Sequence, residues 1–89
     1  MAAKVLMYAA DWCGYCARAR RLLDAKGVAY EEIDVDVVPG ASAAARERSG
    51  GRTTIPQIFI DGRHIGGSDE LQQLEAEGRL DPLLKGTES

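Results

Sequence analysis

Val5-Leu6-Met7-Tyr8-Ala9-Ala10-Asp11-Trp12-Cys13-Gly14-Tyr15-Cys16 joins a short apolar run to a Cys-x-x-Cys pair, and that pair contains the only cysteines of the chain. The run predicts a buried strand at residues 4–8. From Tyr15 onward the apolar residues Tyr15, Ala19, Leu22 and Leu23 recur at helical spacing, with Arg18, Arg21 and Asp24 elsewhere around the turn, so a helix follows at once. Gly14 and Tyr15 between the sulfurs put both on one turn at the helix start, where a disulfide can close and reopen without moving the fold. A lone pair in this context predicts a thiol–disulfide redox site. Unpaired N–H groups and the positive end of the helix dipole favour a thiolate at the first position, so Cys13 is the expected nucleophile. Cys16, one turn inside, is the expected resolving thiol. The competing use of such a pair is half of a zinc site. Zinc wants about four ligands, and only His64 and scattered carboxylates remain to complete the set.

Outward from this stretch the chain alternates. Lys26-Gly27 closes the first helix with a cation and a residue suited to a left-handed cap. Residues 29–35 form a second strand candidate, imperfectly alternating at Glu31-Glu32. Pro39-Gly40 breaks the chain, and residues 42–49 are Ala-rich and helical, closed by Gly50-Gly51. Residues 57–60 predict a strand, Asp61-Gly62 a hairpin turn and His64-Ile65 its partner. Ser68 is the expected cap of the next helix, with Asp69 and Glu70 in its first turn, Leu71 and Leu74 facing the core and Gly78 ending it. Asp81-Pro82 starts a last short turn, and residues 86–89 form a frayed tail. The order β-α-β-α-β-β-α predicts a parallel βαβ unit with right-handed crossover, then an antiparallel hairpin and a helix. The fold class is therefore α/β, a mixed four-stranded sheet covered by helices on both faces, with its apolar strands nearly fully buried.

With 89 residues the chain is expected to form one domain, 1–89, with its core at about 4–85. A net charge of −3 argues against a general nucleic-acid binder. The longest apolar run, residues 5–10, falls far short of the roughly 20 needed to span a bilayer. No secretory leader is read at the N-terminus, so the expected compartment is the cytoplasm, where thiols stay reduced. The expected state is a monomer that binds neither membrane nor nucleic acid.

Three motifs in order, Cys13-Gly14-Tyr15-Cys16, Thr54-Ile55-Pro56 and Gly66-Gly67-Ser68-Asp69, resemble those of bacterial dithiol glutaredoxins, and the resemblance spans about residues 4–85. It implies a thioredoxin-like three-layer α/β/α fold and a glutathione-dependent thiol–disulfide oxidoreductase. Such an enzyme acts on glutathionylated or disulfide-containing proteins, among which the sequence does not rank ribonucleotide reductase. It further implies a cis Ile55–Pro56 bond facing the cysteines, with the Ile55 backbone pairing with extended glutathione as an added strand would. The Gly67-Ser68-Asp69 corner would take the γ-glutamyl end, its carboxylate on the helix amides and its ammonium on the acidic residue. Tyr15, Arg52 and Thr54 would complete the glutathione-binding set.

Departures from the family pattern sharpen these expectations. Gly14 stands where dithiol members usually carry proline, and glycine there marks members that hold a [2Fe-2S] cluster between two subunits with glutathione as co-ligand. Cluster binding through Cys13 is the alternative function, although Cys16 is retained and the insertion typical of monothiol carriers is absent. The run from Trp12 to Cys16 also resembles mycoredoxins, which use mycothiol, while Gly66-Gly67-Ser68-Asp69 keeps glutathione as the favoured thiol. Trp12 itself is expected as an apolar lid beside the sulfur. Ala10 replaces a lysine common in the family, which predicts weaker hold on the thiolate and on glutathione unless Arg52 or Arg48 substitutes. Arg18, Arg20 and Arg21 are expected to form a solvated helix face, and His64 an exposed strand residue with no role as a base.

Overall fold

The computed structural model describes residues 3–86, so the part of the expected tail at 87–89 lies outside the described residues. The elements are β1 (Val5–Ala9), α1 (Gly14–Ala25), β2 (Glu31–Asp34), α2 (Ala41–Arg48), β3 (Gln57–Ile60), β4 (Arg63–Gly66), α3 (Ser68–Ala76) and α4 (Leu80–Leu84). They make one mixed sheet in the order β2-β1-β3-β4. β1 and β2 run parallel, Tyr8 opposite Ile33, while β3 is antiparallel to both β1 and β4, with Met7 opposite Ile58 and Phe59 opposite His64.

Strand alternation sorts the side chains into two layers. Val5, Met7, Ala9, Ile58 and Ile60 face α1, α3 and α4, where Cys16, Ala19, Leu23, Leu71 and Leu80 are all fully buried. Tyr8 and Phe59 face the other way, against Ala41 and Ala45 of α2. The three-layer arrangement follows, with a deep core on one side of the sheet and a thin one on the other. Each fully buried leucine contributes roughly 1.5–3 kcal/mol of transfer free energy, so the α1/α3/α4 side carries most of the stabilisation.

Several expectations need correction. β2 is shorter than residues 29–35, and Glu31 and Glu32 are exposed because β2 is an edge strand. α4 begins at Leu80 with Arg79 as its N-cap, so Asp81-Pro82 lies inside its first turn rather than capping it. Asp81 instead binds Lys26 Nζ at 2.9 Å, and Glu75 binds the same nitrogen at 2.7 Å, so the residue closing α1 also ties down α3 and α4. The hairpin turn is as expected: Asp61 and Gly62 both have positive φ, 51° and 80°, which matches the right-handed twist of the flanking strands.

Candidate active site

β1 delivers the chain to a turn at Asp11-Trp12, and Cys13 becomes the N-cap of α1 with extended backbone, φ −86° and ψ 115°. An N-cap side chain normally offers oxygen to a free amide of the first turn. Here sulfur does so: the Cys16 amide donates to Cys13 Sγ at 3.2 Å. An anionic sulfur is the stronger acceptor of that amide and sits at the positive end of the helix. Both cysteines are free thiols. Cys13 is 6% exposed and Cys16 fully buried. Burial, and then the Cys13 side chain, push the Cys16 thiol up to about 12, so it stays protonated at neutral pH.

Beside Cys13 runs a groove of about 280 Å³. The Ile55–Pro56 peptide is cis, and the Cys13 thiol lies 3.7 Å from the Ile55 carbonyl, in position to donate to it. The structure brings Tyr15, Arg52, Thr54, Ile55, Pro56, Gly67, Ser68 and Asp69 to the lining of this groove. These are all the residues proposed from sequence as a binding set, and they lie together. Tyr15 is 58% exposed, because the helical spacing that includes it points it into the groove and not the core.

The start of α3 differs from expectation. Gly67, not Ser68, is the N-cap of α3, and Ser68 is its first helical residue. The Ser68 hydroxyl caps nothing: it is buried and has no hydrogen-bond partner. The capping is done by Glu70, whose Oε1 accepts from the Gly67 amide at 2.6 Å and from Arg52 Nη1 at 2.8 Å. The Gly67 amide first, and Arg52 second, hold the Glu70 carboxyl below its usual range. The amides of Ser68 and Asp69, in the first turn, have no acceptor within the helix, and both residues line the groove.

Two contributors were not singled out from sequence. Glu70 lines the groove, and its signal is the position three residues after the N-cap, where a carboxylate reaches back. Gln57, fully buried in the otherwise apolar Gln57–Ile60, donates from Nε2 to Thr54 O at 2.9 Å and to Thr54 Oγ1 at 3.3 Å. It thereby fixes the segment before the cis bond. His64 is exposed, as expected, with Nε2 2.6 Å from Gln57 Oε1.

Other expected roles are redistributed. Trp12 is 73% exposed and is not a packed lid; its indole Nε1–H donates to Asp36 Oδ2 at 2.6 Å. Arg20 leaves the solvated face to pair with Glu32 at 2.7 Å and to donate to the Ala10 carbonyl, while Arg18 and Arg21 remain exposed. Arg48 donates to Tyr8 Oη at 2.9 Å and lies 4.6 Å from the centre of the Phe59 ring, so it is committed to the α2 layer. A larger hollow of about 470 Å³ lies between β4, α3 and α4, lined by Ile65, Leu74 and Leu83 among others, with neither cysteine on its wall. Among the described residues no group of three or more His, Cys, Asp or Glu could hold a metal, and only Cys13 of the two sulfurs reaches the surface.

The family model for glutaredoxin matches residues 5–65. Glutaredoxin 3 of Escherichia coli strain K12 is 51% identical over 86 residues, covering 93% of this chain and 99% of that protein. The solution structure of a glutaredoxin from Brucella melitensis is 48% identical with a TM-score of 0.84, covering 99% of this chain and 95% of that one. A crystal structure of a buckwheat glutaredoxin–glutathione complex superposes with a TM-score of 0.87 at 32% identity, covering 96% and 79%.

Proposed function

Since the chain belongs to the glutaredoxin family of thiol–disulfide oxidoreductases, we propose that it reduces protein–glutathione mixed disulfides and protein disulfides, with Cys13 as nucleophile, Cys16 as resolving thiol and glutathione as co-substrate. The observation that carries this reading is Cys13 Sγ, capped by the Cys16 amide and set against Ile55 O at the edge of the groove.

The glutathionyl half of the substrate lies along Thr54-Ile55-Pro56, with its γ-glutamyl carboxylate at the Ser68 and Asp69 amides and its ammonium at the Asp69 carboxylate. The unpartnered Ser68 hydroxyl is a further donor for that carboxylate. Arg52 is the one cation lining the groove, and Arg48 is occupied elsewhere, so Arg52 takes the part left open by Ala10.

Cys13 thiolate attacks the glutathionyl sulfur. The Cys13–glutathione disulfide forms, the bond to the protein sulfur breaks, and the protein thiolate leaves and takes a proton. A second glutathione thiolate then attacks the glutathionyl sulfur on Cys13, releasing oxidised glutathione and the Cys13 thiolate. With a protein disulfide, the Cys13 thiolate attacks one substrate sulfur, the substrate disulfide breaks and its other sulfur leaves as a thiolate that takes a proton; Cys16 then attacks the Cys13 sulfur, forming the Cys13–Cys16 bond and displacing the substrate, its proton passing to the departing thiolate. Two glutathione molecules then reduce the Cys13–Cys16 bond. Rates follow thiolate fraction and leaving-group acidity. The compartment that suits this cycle is a reducing cytoplasm.

The test uses two variants on a glutathionylated peptide and on a protein disulfide. Cys13→Ser is expected to abolish both activities, and Cys16→Ser to keep deglutathionylation while losing disulfide reduction. Turnover of the glutathionylated peptide by Cys13→Ser would overturn the assignment.

A further inference from the structure

Glu70 stands on the groove wall without a part in the exchange steps. Its side chain folds back over the start of α3, and one oxygen, Oε1, serves both the Gly67 amide and Arg52 Nη1. The room for this exists because position 66 has no side chain. A Cβ on Gly66 would meet Glu70 Oε1 and lie 2.8 Å from its Cγ and 2.9 Å from its Cδ. The other end of the guanidinium is placed as well: Arg52 Nη2 is 3.7 Å from where a Gly67 Cβ would stand, a position itself 3.3 Å from the Pro56 carbonyl. Arg52 is therefore gripped by one nitrogen and carries the second along the groove beside Gly67 and Pro56.

Resting on the function proposed above, we propose that Glu70 is a positioning residue, which clamps Arg52 across the groove so that the remaining edge of the guanidinium meets a carboxylate of the glutathionyl group. A guanidinium has five N–H donors in a rigid fork, so it can bind Glu70 and a ligand carboxylate at once. An unclamped arginine, half exposed, would have to give up its rotamer freedom each time a substrate bound. Because Arg52 is the only cation on the groove wall, its preorganisation falls directly on substrate affinity.

Glu70→Gln separates the clamp from the helix cap, since the amide oxygen still accepts from Gly67 while the ionic hold on Arg52 is lost. With a glutathionylated peptide as substrate, Glu70→Gln is expected to raise KM roughly two- to fivefold, the range of an exposed ion pair, with the effect in KM rather than kcat. Arg52→Ala is expected to raise KM at least as much, and the double variant no further than Arg52→Ala alone. Independent, additive effects of the two substitutions would overturn the proposal, as would a fall in KM for Glu70→Gln, which would make Glu70 a competitor of the substrate. Thermal melts of each variant separate loss of fold from loss of clamp. Failure of the functional reading itself shows earlier, as a wild-type protein that does not turn over the peptide.

Discussion

Cys16 is the residue whose chemistry the fold alters most visibly. Its thiol pKa is raised from 9.0 to about 12, first by burial. A raised acid holds its proton longer in the folded state than in the unfolded one, so folded stability falls with pH wherever the unfolded thiol has ionised and the folded one has not. The reduced protein is therefore expected to lose stability from about pH 9 upward, by on the order of 1 kcal/mol per pH unit. Denaturant midpoints across that range check it, with Cys16→Ser as the reference, in which the added alkaline loss should vanish. An identical alkaline slope in both proteins would remove the burial argument. The placement of Cys13 and Cys16 on one turn at the start of α1 was legible in the sequence because two residues of spacing after a strand leave few geometries open. Glu70 was not, because its partner Arg52 is 18 positions away and only the folded chain brings them together.

At the level of elements, the α3 start combines backbone freedom at Gly66 with the Glu70 side chain folded back on the Gly67 amide. Gly66 has φ +125°, where a side chain is strained whatever the surrounding space, and its missing Cβ is what admits Glu70. Gly66→Ala is expected to cost roughly 1–3 kcal/mol, read as a lower urea midpoint at unchanged m-value; an unchanged midpoint would show that Glu70 swings away without consequence. Sequence signals located the four strands and the first three helices, since turn residues such as Asp61-Gly62 and Lys26-Gly27 act locally, while α4 was read only as a short turn. They misplaced the cap at Ser68 because Glu70, three residues past Gly67, reaches back to the Gly67 amide in its place, and the start of α4 because Lys26, from the end of α1, holds Asp81. The breadth of β2 was overread for a related reason, as an edge position lets Glu31 and Glu32 face solvent.

Across the whole molecule the two sides of the sheet are unequal. α1 buries Cys16, Ala19 and Leu23, whereas α2 buries only Ala41 and Ala45, starts at Gly40 with no side-chain cap, and rests on Tyr8 and Phe59. Regions with few buried apolar contacts open at lower free energy than the global transition. Native-state hydrogen exchange is expected to show α2 amides opening well below those of α1. Equal protection of the two helices would mean that Arg48, stacked on Phe59 and bonded to Tyr8, makes up the difference.

Trp12 leaves the molecule with a built-in gauge. It is the only tryptophan of the chain, it adjoins Cys13 in sequence, and Asp36 holds its indole at one place in the solvent. Disulfides quench indole emission at short range, so closing or glutathionylating the adjacent sulfur is expected to change the protein's own fluorescence, without a dye and without a substitution at either cysteine.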